Sequence, residues 1–393
     1  MLVSPHEKPP GSRTGVTLAL ILFGLGIGFL TAEVALRLYN PFGFRMRGNT
    51  IVLPVHQTYM IQDPNLERFD KLDRRVVHTK NSLGFRGPEP PRDFRACLSI
   101  VVIGGSTTEC FYLSDGQSWP EQLQAQLQPA FPRLWVNNAG LDGHSTFGHT
   151  VLMRDYISKL RPSMALFLVG VNDLFADGPR TLDHLDRSPI AGRLAEHSEL
   201  FAVVLNMVRH RRTAGVKSLG AMPKRLNLQV PEYTDFPVEE EEAVLRSQRR
   251  FVPEYESRLK LLMEMARRSG IEPVLITQPA LFGDALDDVT QADLDRVSIE
   301  IYRKMNGFTA WRLLEMYNDV IRRVGREQGV KVIDLAREMP KSSRYYYDYL
   351  HYGKEGAAEV ARIVAQQLCP VLASKWPEHS EGGCDHVRGL SPP

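Results

Sequence analysis

The chain has 393 residues, of which 43% are hydrophobic, and this is enough to form a sizeable core in one large domain or two ordinary ones. Its 48 basic and 46 acidic side chains leave a net charge of +2, which gives no electrostatic basis for nucleic acid as a partner. A small or neutral substrate fits this charge balance better.

An apolar segment follows an N-terminal tail at residues 1–14 that is rich in Pro, Gly and charge. Residues 15–32 carry no charge, and as a helix they extend about 27 Å, close to the thickness of a bilayer core. The segment is long for a signal peptide, lacks a clear A-x-A cleavage site and continues as a helical pattern to residue 38. We therefore predict a single-pass transmembrane anchor at 15–38. Basic residues on both sides leave its orientation undecided.

The chain beyond the anchor changes character near residue 98. Residues 39–97 are rich in Pro, Arg, Asn and Gly without a helical period, which predicts an irregular juxtamembrane lead-in. From there, short apolar strands alternate with helical segments, which predicts a five-stranded parallel sheet in a doubly wound, flavodoxin-like α/β domain at 98–372. A flexible tail is predicted at 373–393. The predicted strands are 98–105, 134–140, 164–170, 273–279 and 330–335, and the predicted helices are 117–127, 144–160, 254–268, 308–328 and 354–368.

Residues 176–245 interrupt the alternation and are predicted to be an insertion in the α/β domain. They contain one apolar helical stretch, a Pro-rich loop and the acidic run Glu239 to Glu242. Consecutive helical residues do not converge on one ion, so the acidic run is interpreted as a solvated helix start without chemistry. Because loops on α/β scaffolds line binding sites, we expect the insertion to line or cover the pocket and to set specificity.

Four cysteines are too few and too scattered for a disulfide scaffold, and none forms a C-x-x-C pair. Cys97 and Cys110 lie at opposite ends of a predicted strand, roughly 20 Å apart at the rise of an extended chain. They are predicted not to pair with each other. For Cys369 and Cys384, the sequence leaves a disulfide and two free thiols as equal alternatives.

Small and amide residues follow three predicted strands, at the sheet edge where α/β proteins bind ligands. Ser106 follows the first strand on a glycine turn, Gly143 follows the second and Asn172 follows the third. A serine at a helix start is often only an N-cap, and a phosphate loop is a further alternative, but the glycine motifs of phosphate loops are absent from this strand end. The backbone N–H groups of Ser106 and Gly143 and the amide of Asn172 are predicted to form an oxyanion hole.

Asp348 and His351 follow the fifth strand with a spacing that lets the carboxylate orient the imidazole. Serine is a weak nucleophile, so it requires a neutral imidazole to accept its proton and a carboxylate to fix the tautomer. Ser106, His351 and Asp348 are therefore the predicted catalytic residues. The nearby polar residues are interpreted as caps or turn residues; they are Glu109, Asp142, His144 and Asp173. No metal-ligand spacing occurs among the histidines, and no cofactor is expected.

These motifs resemble those of the SGNH, or GDSL-type, hydrolases across residues 97–370. The resemblance places the nucleophile on Ser106, the oxyanion donors on Gly143 and on Asn172 of Gly170–Asp173, and the D-x-x-H motif on Asp348 and His351. One departure is that the Gly-Asp-Ser of the family is Gly104-Gly105-Ser106 here. The segment NSLGFRG at 81–87, with the anchor, resembles bacterial membrane-tethered members, which implies an extracytoplasmic, periplasmic domain.

The resemblance implies hydrolysis of an acyl ester, such as an O-acetyl or other carboxylic ester, on a small molecule or a glycan. Two alternatives stay open from the sequence. One is acyl transfer to a sugar hydroxyl of an envelope polysaccharide, as similar membrane-linked members perform. The other is a non-catalytic protein that binds carbohydrate or assists assembly. The expected partners are the ester substrate and a membrane, and not nucleic acid.

Overall fold

The computed structural model describes residues 11–41, 46–63, 66, 69, 71–175, 189–212, 227–300 and 303–393. The chain divides into two compact units, one of residues 1–52 and 185–214 and the other of residues 53–184 and 215–393. The α-helices are α1 (Gly11–Leu38), α2 (Ser106–Glu109), α3 (Trp119–Leu127), α4 (Thr146–Leu152), α5 (Ser158–Leu160), α6 (Pro189–His197), α7 (Glu199–Arg212), α8 (Val238–Arg249), α9 (Val252–Arg268), α10 (Gly307–Gln328), α11 (Leu335–Glu338), α12 (Lys354–Lys375) and α13 (Asp385–Arg388). The strands are β1 (Met46–Arg47), β2 (Thr50–Ile51), β3 (Thr58–Ile61), β4 (Val76–Thr79), β5 (Leu98–Gly104), β6 (Leu134–Asn138), β7 (Met164–Leu168), β8 (Glu272–Ile276), β9 (Ser298–Glu300), β10 (Lys304–Asn306) and β11 (Lys331–Ile333).

The first unit contains α1, α6, α7 and the antiparallel pair of β1 and β2. Within the described residues, Gly15–Leu38 is the helix that is long and apolar enough to cross a membrane or to serve as a signal sequence. Glu33 accepts hydrogen bonds from the Ser198 hydroxyl (2.7 Å) and from the backbone N–H groups of Glu199 and Leu200 (both 3.1 Å). These N–H groups begin α7 and have no partner within the helix, so the Glu33 carboxylate fixes the start of α7 to α1.

The second unit is built on a five-stranded parallel sheet with the strand order β11-β8-β7-β5-β6. In order of sequence this is the 2-1-3-4-5 arrangement, which confirms the predicted doubly wound, flavodoxin-like fold. Every residue of β5, β6 and β7 is buried, as expected for parallel strands covered on both faces. The strand order reverses between β5 and β7, and this reversal is where ligands bind in such sheets.

Two groups of helices accompany the sheet, with α3 packed on α12 and β6, and α9 packed on α4, α10 and β8. The starts of α3 and α10 have clear local causes. Ser118 and Glu121 form a capping box before α3, and the Asn306 side chain accepts the Thr309 N–H before α10. The helix predicted at 144–160 is instead α4, a π-turn at Met153–Ile157 and α5 in succession.

The lead-in at 39–97, predicted to be irregular, contains regular structure. The prediction was wrong because the strands there are too short to give a periodic sequence pattern. In the second unit, β3 and β4 pair antiparallel, with Thr58 opposite Thr79. Arg86 exchanges two backbone hydrogen bonds of 2.9 Å with Asn138 at the end of β6. The segment before β5 is therefore bound to the five-stranded sheet.

The region predicted as one insertion at 176–245 contributes to both units, with α6 and α7 in the first and α8 in the second. It contains three described helices rather than one, while residues 176–188 and 213–226 lie outside the described residues. Glu241 of α8 is buried and pairs with Arg312. The predicted solvated helix start is thus wrong for this glutamate, because α8 packs on α10 through that face.

The C-terminal segment is not the flexible tail predicted at 373–393, since a disulfide joins Cys369 of α12 to Cys384. Helix α12 itself extends to Lys375, and Val387 of α13 is fully buried. The Glu381 N–H also donates to the Ala130 carbonyl oxygen at 3.0 Å. Cys97 and Cys110 are buried free thiols, which confirms the prediction that they do not pair.

Candidate active site

Ser106 is the first residue of α2, immediately after β5 and Gly105. Its side chain is partly exposed, whereas the three other residues of α2 are buried. The Oγ atom of Ser106 lies 2.8 Å from Nε2 of His351, which is a hydrogen-bond distance. The first strand end predicted from sequence therefore meets the last one, although the two residues are 245 positions apart.

Asp348 orients His351 through three contacts within one short loop. Its Oδ2 atom lies 2.7 Å from Nδ1 of His351, and its Oδ1 atom accepts the backbone N–H groups of Leu350 (2.8 Å) and His351 (2.7 Å). The carboxylate is buried and is held by the backbone of the residue it orients. With Nδ1 donating to Asp348, Nε2 is the acceptor that faces Ser106.

The surroundings of His351 favour its protonated form. Burial alone opposes the positive charge, but the charge of Asp348 and its hydrogen bond outweigh burial and raise the pKa of His351 above the ordinary histidine value. The ring of Tyr347 stacks on the imidazole with centroids 5.6 Å apart and planes 11° from parallel. Stacking and hydrogen bonding together restrict the ring to one orientation.

The other two predicted site residues lie in the loops after β6 and β7. Gly143 has a φ of +73°, a left-handed conformation that favours glycine, in the loop after β6. Asn172 lies in the turn after β7, and its Nδ2 atom donates to the His144 carbonyl oxygen at 2.9 Å. A side-chain amide has two N–H groups, so this contact uses one of them and ties the two loops together.

Gly105 explains the departure from the Gly-Asp-Ser pattern. A Cβ atom at this position would lie 2.3 Å from Nδ2 of Asn172, so the Asn172 side chain would have to shift to admit one. The glycine therefore lets the Asn172 amide approach the backbone directly before Ser106. An aspartate at position 105 would require Asn172 to move.

Asp173 lies behind the site and has partners beyond the predicted cap role. Its carboxylate accepts the Thr146 N–H at the start of α4, as a cap would, and lies 3.3 Å from a guanidinium nitrogen of Arg258. Burial raises the pKa of Asp173, although Arg258 and Thr146 oppose this shift. Asp173 thus links the turn containing Asn172 to α4 and α9.

Arg86 was overlooked as a site residue because the sequence shows only that it belongs to NSLGFRG. Its side chain is completely buried. The guanidinium donates to the carbonyl oxygens of Glu109 (3.0 Å), Cys110 (2.7 Å), Leu113 (3.0 Å) and Ser114 (3.1 Å). Four acceptors in the segment after Ser106 are therefore satisfied by one side chain, which braces that segment.

Glu109 was interpreted as a cap or turn residue, but it is half of a buried ion pair. Its Oε1 atom lies 2.9 Å from Nζ of Lys80, and the two side chains are 3% and 1% exposed. No sequence signal predicts this pair, because it depends on how the segment before β5 folds against α2. In the described part of the chain, no three His, Cys, Asp or Glu side chains are grouped as ligands for one metal ion.

Residues 102–359 match the family model of the GDSL-like lipase/acylhydrolase family. The five-stranded parallel sheet with flanking helices is the SGNH α/β hydrolase fold. The match spans well over half of the chain, so the protein belongs to the GDSL-like lipase/acylhydrolase family and is an ester hydrolase. No curated protein matches the sequence.

Several solved structures are similar to the chain at low sequence identity. An acetylxylan esterase from Geobacillus stearothermophilus is 13% identical, with a TM-score of 0.40 over 69% of this chain and 93% of that chain. The acetyl xylan esterase AlAXEase is 14% identical, with a TM-score of 0.40 over 69% and 99%. An α/β hydrolase from the metagenome of Lake Arreo, Spain, is 14% identical, with a TM-score of 0.37 over 67% and 92%.

Proposed function

We propose that the chain cleaves a carboxylic ester through a Ser106–His351–Asp348 triad. The observation that supports this most directly is the unbroken row of hydrogen bonds, with 2.8 Å from Ser106 Oγ to His351 Nε2 and 2.7 Å from His351 Nδ1 to Asp348 Oδ2. Nε2 accepts the hydroxyl proton as Oγ attacks the ester carbonyl. Asp348 stabilises the imidazolium that forms, without taking its proton.

The tetrahedral intermediate carries a negative oxygen, which we propose is bound by the N–H groups of Ser106 and Gly143 and the side-chain amide of Asn172. The left-handed Gly143 and the closeness of Asn172 to Gly105 support this assignment. The intermediate collapses to an acyl-serine as His351 gives its proton to the leaving alcohol. Water, activated by the same imidazole, then releases the acid and restores Ser106.

The proposed substrate is an acyl ester such as an O-acetyl ester on a small molecule or a glycan. This follows from membership in an acylhydrolase family and from a mechanism that needs only an ester carbonyl and water. The same acyl-serine would serve transfer if a sugar hydroxyl replaced water. Incubating the enzyme and an acetyl ester with and without an oligosaccharide acceptor separates these reactions, because hydrolysis releases acetate in water alone.

We also propose that α1 anchors the hydrolase domain outside the cytoplasm. Gly15–Leu38 supports the anchor by its length and apolarity, and the Cys369–Cys384 disulfide supports an oxidising compartment. N-terminal sequencing of the membrane-extracted protein tests the anchor, since a cleaved signal peptide would leave a new N-terminus beyond this helix. Proteolysis of intact spheroplasts tests the side, because an external domain is digested without lysis.

The nucleophile is tested by labelling the full chain in detergent with a fluorophosphonate and measuring the intact mass. We expect one adduct on the wild type and none on Ser106→Ala. Ser257→Ala is the matched control, because Ser257 is an exposed serine whose hydroxyl donates to the Pro253 carbonyl oxygen on α9. A folded wild-type protein without an adduct would contradict the proposed mechanism and favour a binding protein.

A further inference from the structure

We propose that Glu109 is a positioning residue that holds the loop carrying Gly143 in place against the helix carrying Ser106. The inference rests on the proposed function, because it assigns Gly143 to the oxyanion hole. Glu109 does not touch the reacting atoms in this account. It acts through the backbone of Asp142, the residue directly before Gly143.

The two carboxylate oxygens of Glu109 have different partners in the second unit. Oε1 lies 2.9 Å from Nζ of Lys80, whereas Oε2 accepts the backbone N–H of Asp142. Lys80 and Glu109 are 1% and 3% exposed, so water contributes little to either contact. One buried carboxylate therefore connects the segment after β4 with the loop after β6.

The position of Glu109 along the chain makes this connection relevant to the site. Glu109 is the last residue of α2, and Ser106 is the first, so the carboxylate is attached to the same short helix as the nucleophile. Asn138, at the end of β6, reinforces the junction by donating from Nδ2 to the Thr108 carbonyl oxygen at 2.7 Å. Two contacts to α2, one at Asn138 and one at Asp142, thus hold the start of the loop that carries the Gly143 N–H.

A negative charge on Glu109 strengthens its hydrogen bond with the Asp142 N–H. A buried carboxylate is costly unless it is paired, and Lys80 supplies that pairing for Glu109. Hydrogen bonds to an ionised acceptor are roughly twice as strong as those between neutral groups. A buried ion pair is weak evidence for stability in itself, since apolar replacements of both partners are often as stable. Positioning of the Asp142–Gly143 backbone is the role that this geometry supports.

Two double variants separate positioning from charge balance. Lys80→Met/Glu109→Gln removes the ion pair but keeps a side-chain oxygen that accepts the Asp142 N–H. Lys80→Met/Glu109→Leu removes the ion pair and this acceptor together. We expect the Leu variant to lose about 10- to 100-fold in kcat with KM nearly unchanged, because a displaced oxyanion donor weakens binding of the transition state only. The kcat of the Gln variant should stay within about threefold of the wild-type value. The glutamine oxygen still accepts the Asp142 N–H, so the loop keeps its position.

The measurements are ester hydrolysis at saturating and limiting substrate, together with the thermal midpoint of each variant. Arg362→Met/Glu359→Leu is the matched control, because it removes another buried glutamate ion pair, on α12. We expect this control to change the thermal midpoint without changing kcat. Equal kcat values for the Gln and Leu variants would overturn the proposal, as would a loss that appears only in KM.

If the Leu variant does not fold, Glu109→Asp replaces it in the same assay. Its carboxylate stays charged but is one methylene shorter, so it cannot reach both Lys80 and Asp142, and kcat should fall about tenfold or more. An unchanged kcat would overturn the proposal. The rate of fluorophosphonate labelling is the second readout, because it also requires the oxyanion donors. A wild type that neither hydrolyses esters nor labels would refute the proposed function itself, whereas an active wild type with unaffected variants refutes only the role of Glu109.

Discussion

His351 lies at hydrogen-bond distance from Ser106 and Asp348, and burial together with the charge and hydrogen bond of Asp348 sets the pKa of the imidazole. Asp348 raises the pKa of His351, so the residue stays protonated to a higher pH than an ordinary histidine. A general base must be neutral to accept the proton of serine. The ester-hydrolysis rate should therefore depend on pH through the protonation of His351.

We expect kcat/KM to rise with pH through a transition above about 6.5, the ordinary histidine pKa. Asp348→Asn removes the charge that raises this pKa, so the transition should move to lower pH while kcat falls by roughly 10³ to 10⁴-fold. His386→Gln is the control, since His386 is exposed and its ring nitrogens lie at hydrogen-bond distance from the carbonyl oxygens of Gly383 and Gln126. A transition at the same pH in Asp348→Asn would contradict the assignment of His351.

Gly105 gives a second prediction at this scale. Gly105→Ala places a Cβ atom 2.3 Å from the Asn172 amide, so Asn172 must shift and kcat should fall about 10- to 100-fold. Gly389→Ala is the matched control, because its added atom meets ordinary contacts of 3.5 Å or more. Steady-state kinetics and a thermal midpoint measure both variants. A Gly105→Ala enzyme with wild-type kcat would show that Asn172 does not bind the oxyanion.

The sequence predicted Ser106, Asp348 and His351 because each follows a strand and belongs to a short local motif. The structure places Ser106 Oγ and His351 Nε2 at a hydrogen-bond distance, and the catalytic roles of the three residues stay a prediction. Lys80, Glu109 and Arg86 were not predicted as site residues, because their roles arise from contacts between segments distant in sequence. Lys80 and Glu109 are 29 positions apart, and neither has a local pattern that distinguishes a buried ion pair from two surface charges.

At the scale of elements, the buried strands β5 to β8 were predictable because parallel strands covered on both faces are nearly continuous apolar runs. The pairs β1–β2, β3–β4 and β9–β10 were missed, since strands of two to four residues give no measurable period. The π-turn between α4 and α5 was missed as well, because only the three residues of α5 follow it, too few to show the shift in the apolar pattern that an extra residue causes. The segment before β5 is ordered by the β3–β4 pairing and by contacts of Lys80 and Arg86 with the chain after β5.

Arg86→Met should destabilise the second unit by about 3–5 kcal/mol, because three buried carbonyl oxygens and one part-buried one lose a charged donor. Arg86→Lys should recover only part of this loss, since an ammonium does not reproduce the planar donors of a guanidinium. Urea unfolding measures the change. Arg268→Met, which removes an exposed arginine paired with Glu264, is the control and should change the midpoint little. Equal midpoints for Arg86→Met and this control would contradict the bracing role.

At the scale of the whole molecule, the sequence predicted an N-terminal anchor followed by an α/β domain. It did not predict that the C-terminal segment is packed against that domain. The C-terminal segment contains Pro, Gly and charge, which favour a flexible tail, yet its disulfide and the buried Val387 hold it to the second unit. Spacing alone does not decide whether two cysteines pair. Similarly, residues 176–245 were predicted to be one insertion because nothing in their sequence marks the boundary between the two units.

Removing the disulfide should lower the stability of the second unit by about 3 kcal/mol, the value expected for a closed loop of this length. Cys369→Ser/Cys384→Ser and the reduced wild type should therefore unfold at similar, lower urea concentrations. The reductant serves as its own control on the double variant, where it should have no effect. An unchanged midpoint for the reduced protein would show that packing of α13 alone secures the segment.

The 245 positions between Ser106 and His351 also have a consequence in time. Ribosomes add about 5–20 residues per second, so the proposed nucleophile emerges roughly 10–50 s before its base. During that interval Ser106 lacks His351, the base that the proposed mechanism requires, so on that mechanism the growing chain does not cleave esters. On the proposed mechanism, a newly made hydrolase cannot damage ester-bearing molecules in the compartment where it is synthesised until the last part of its domain has been made.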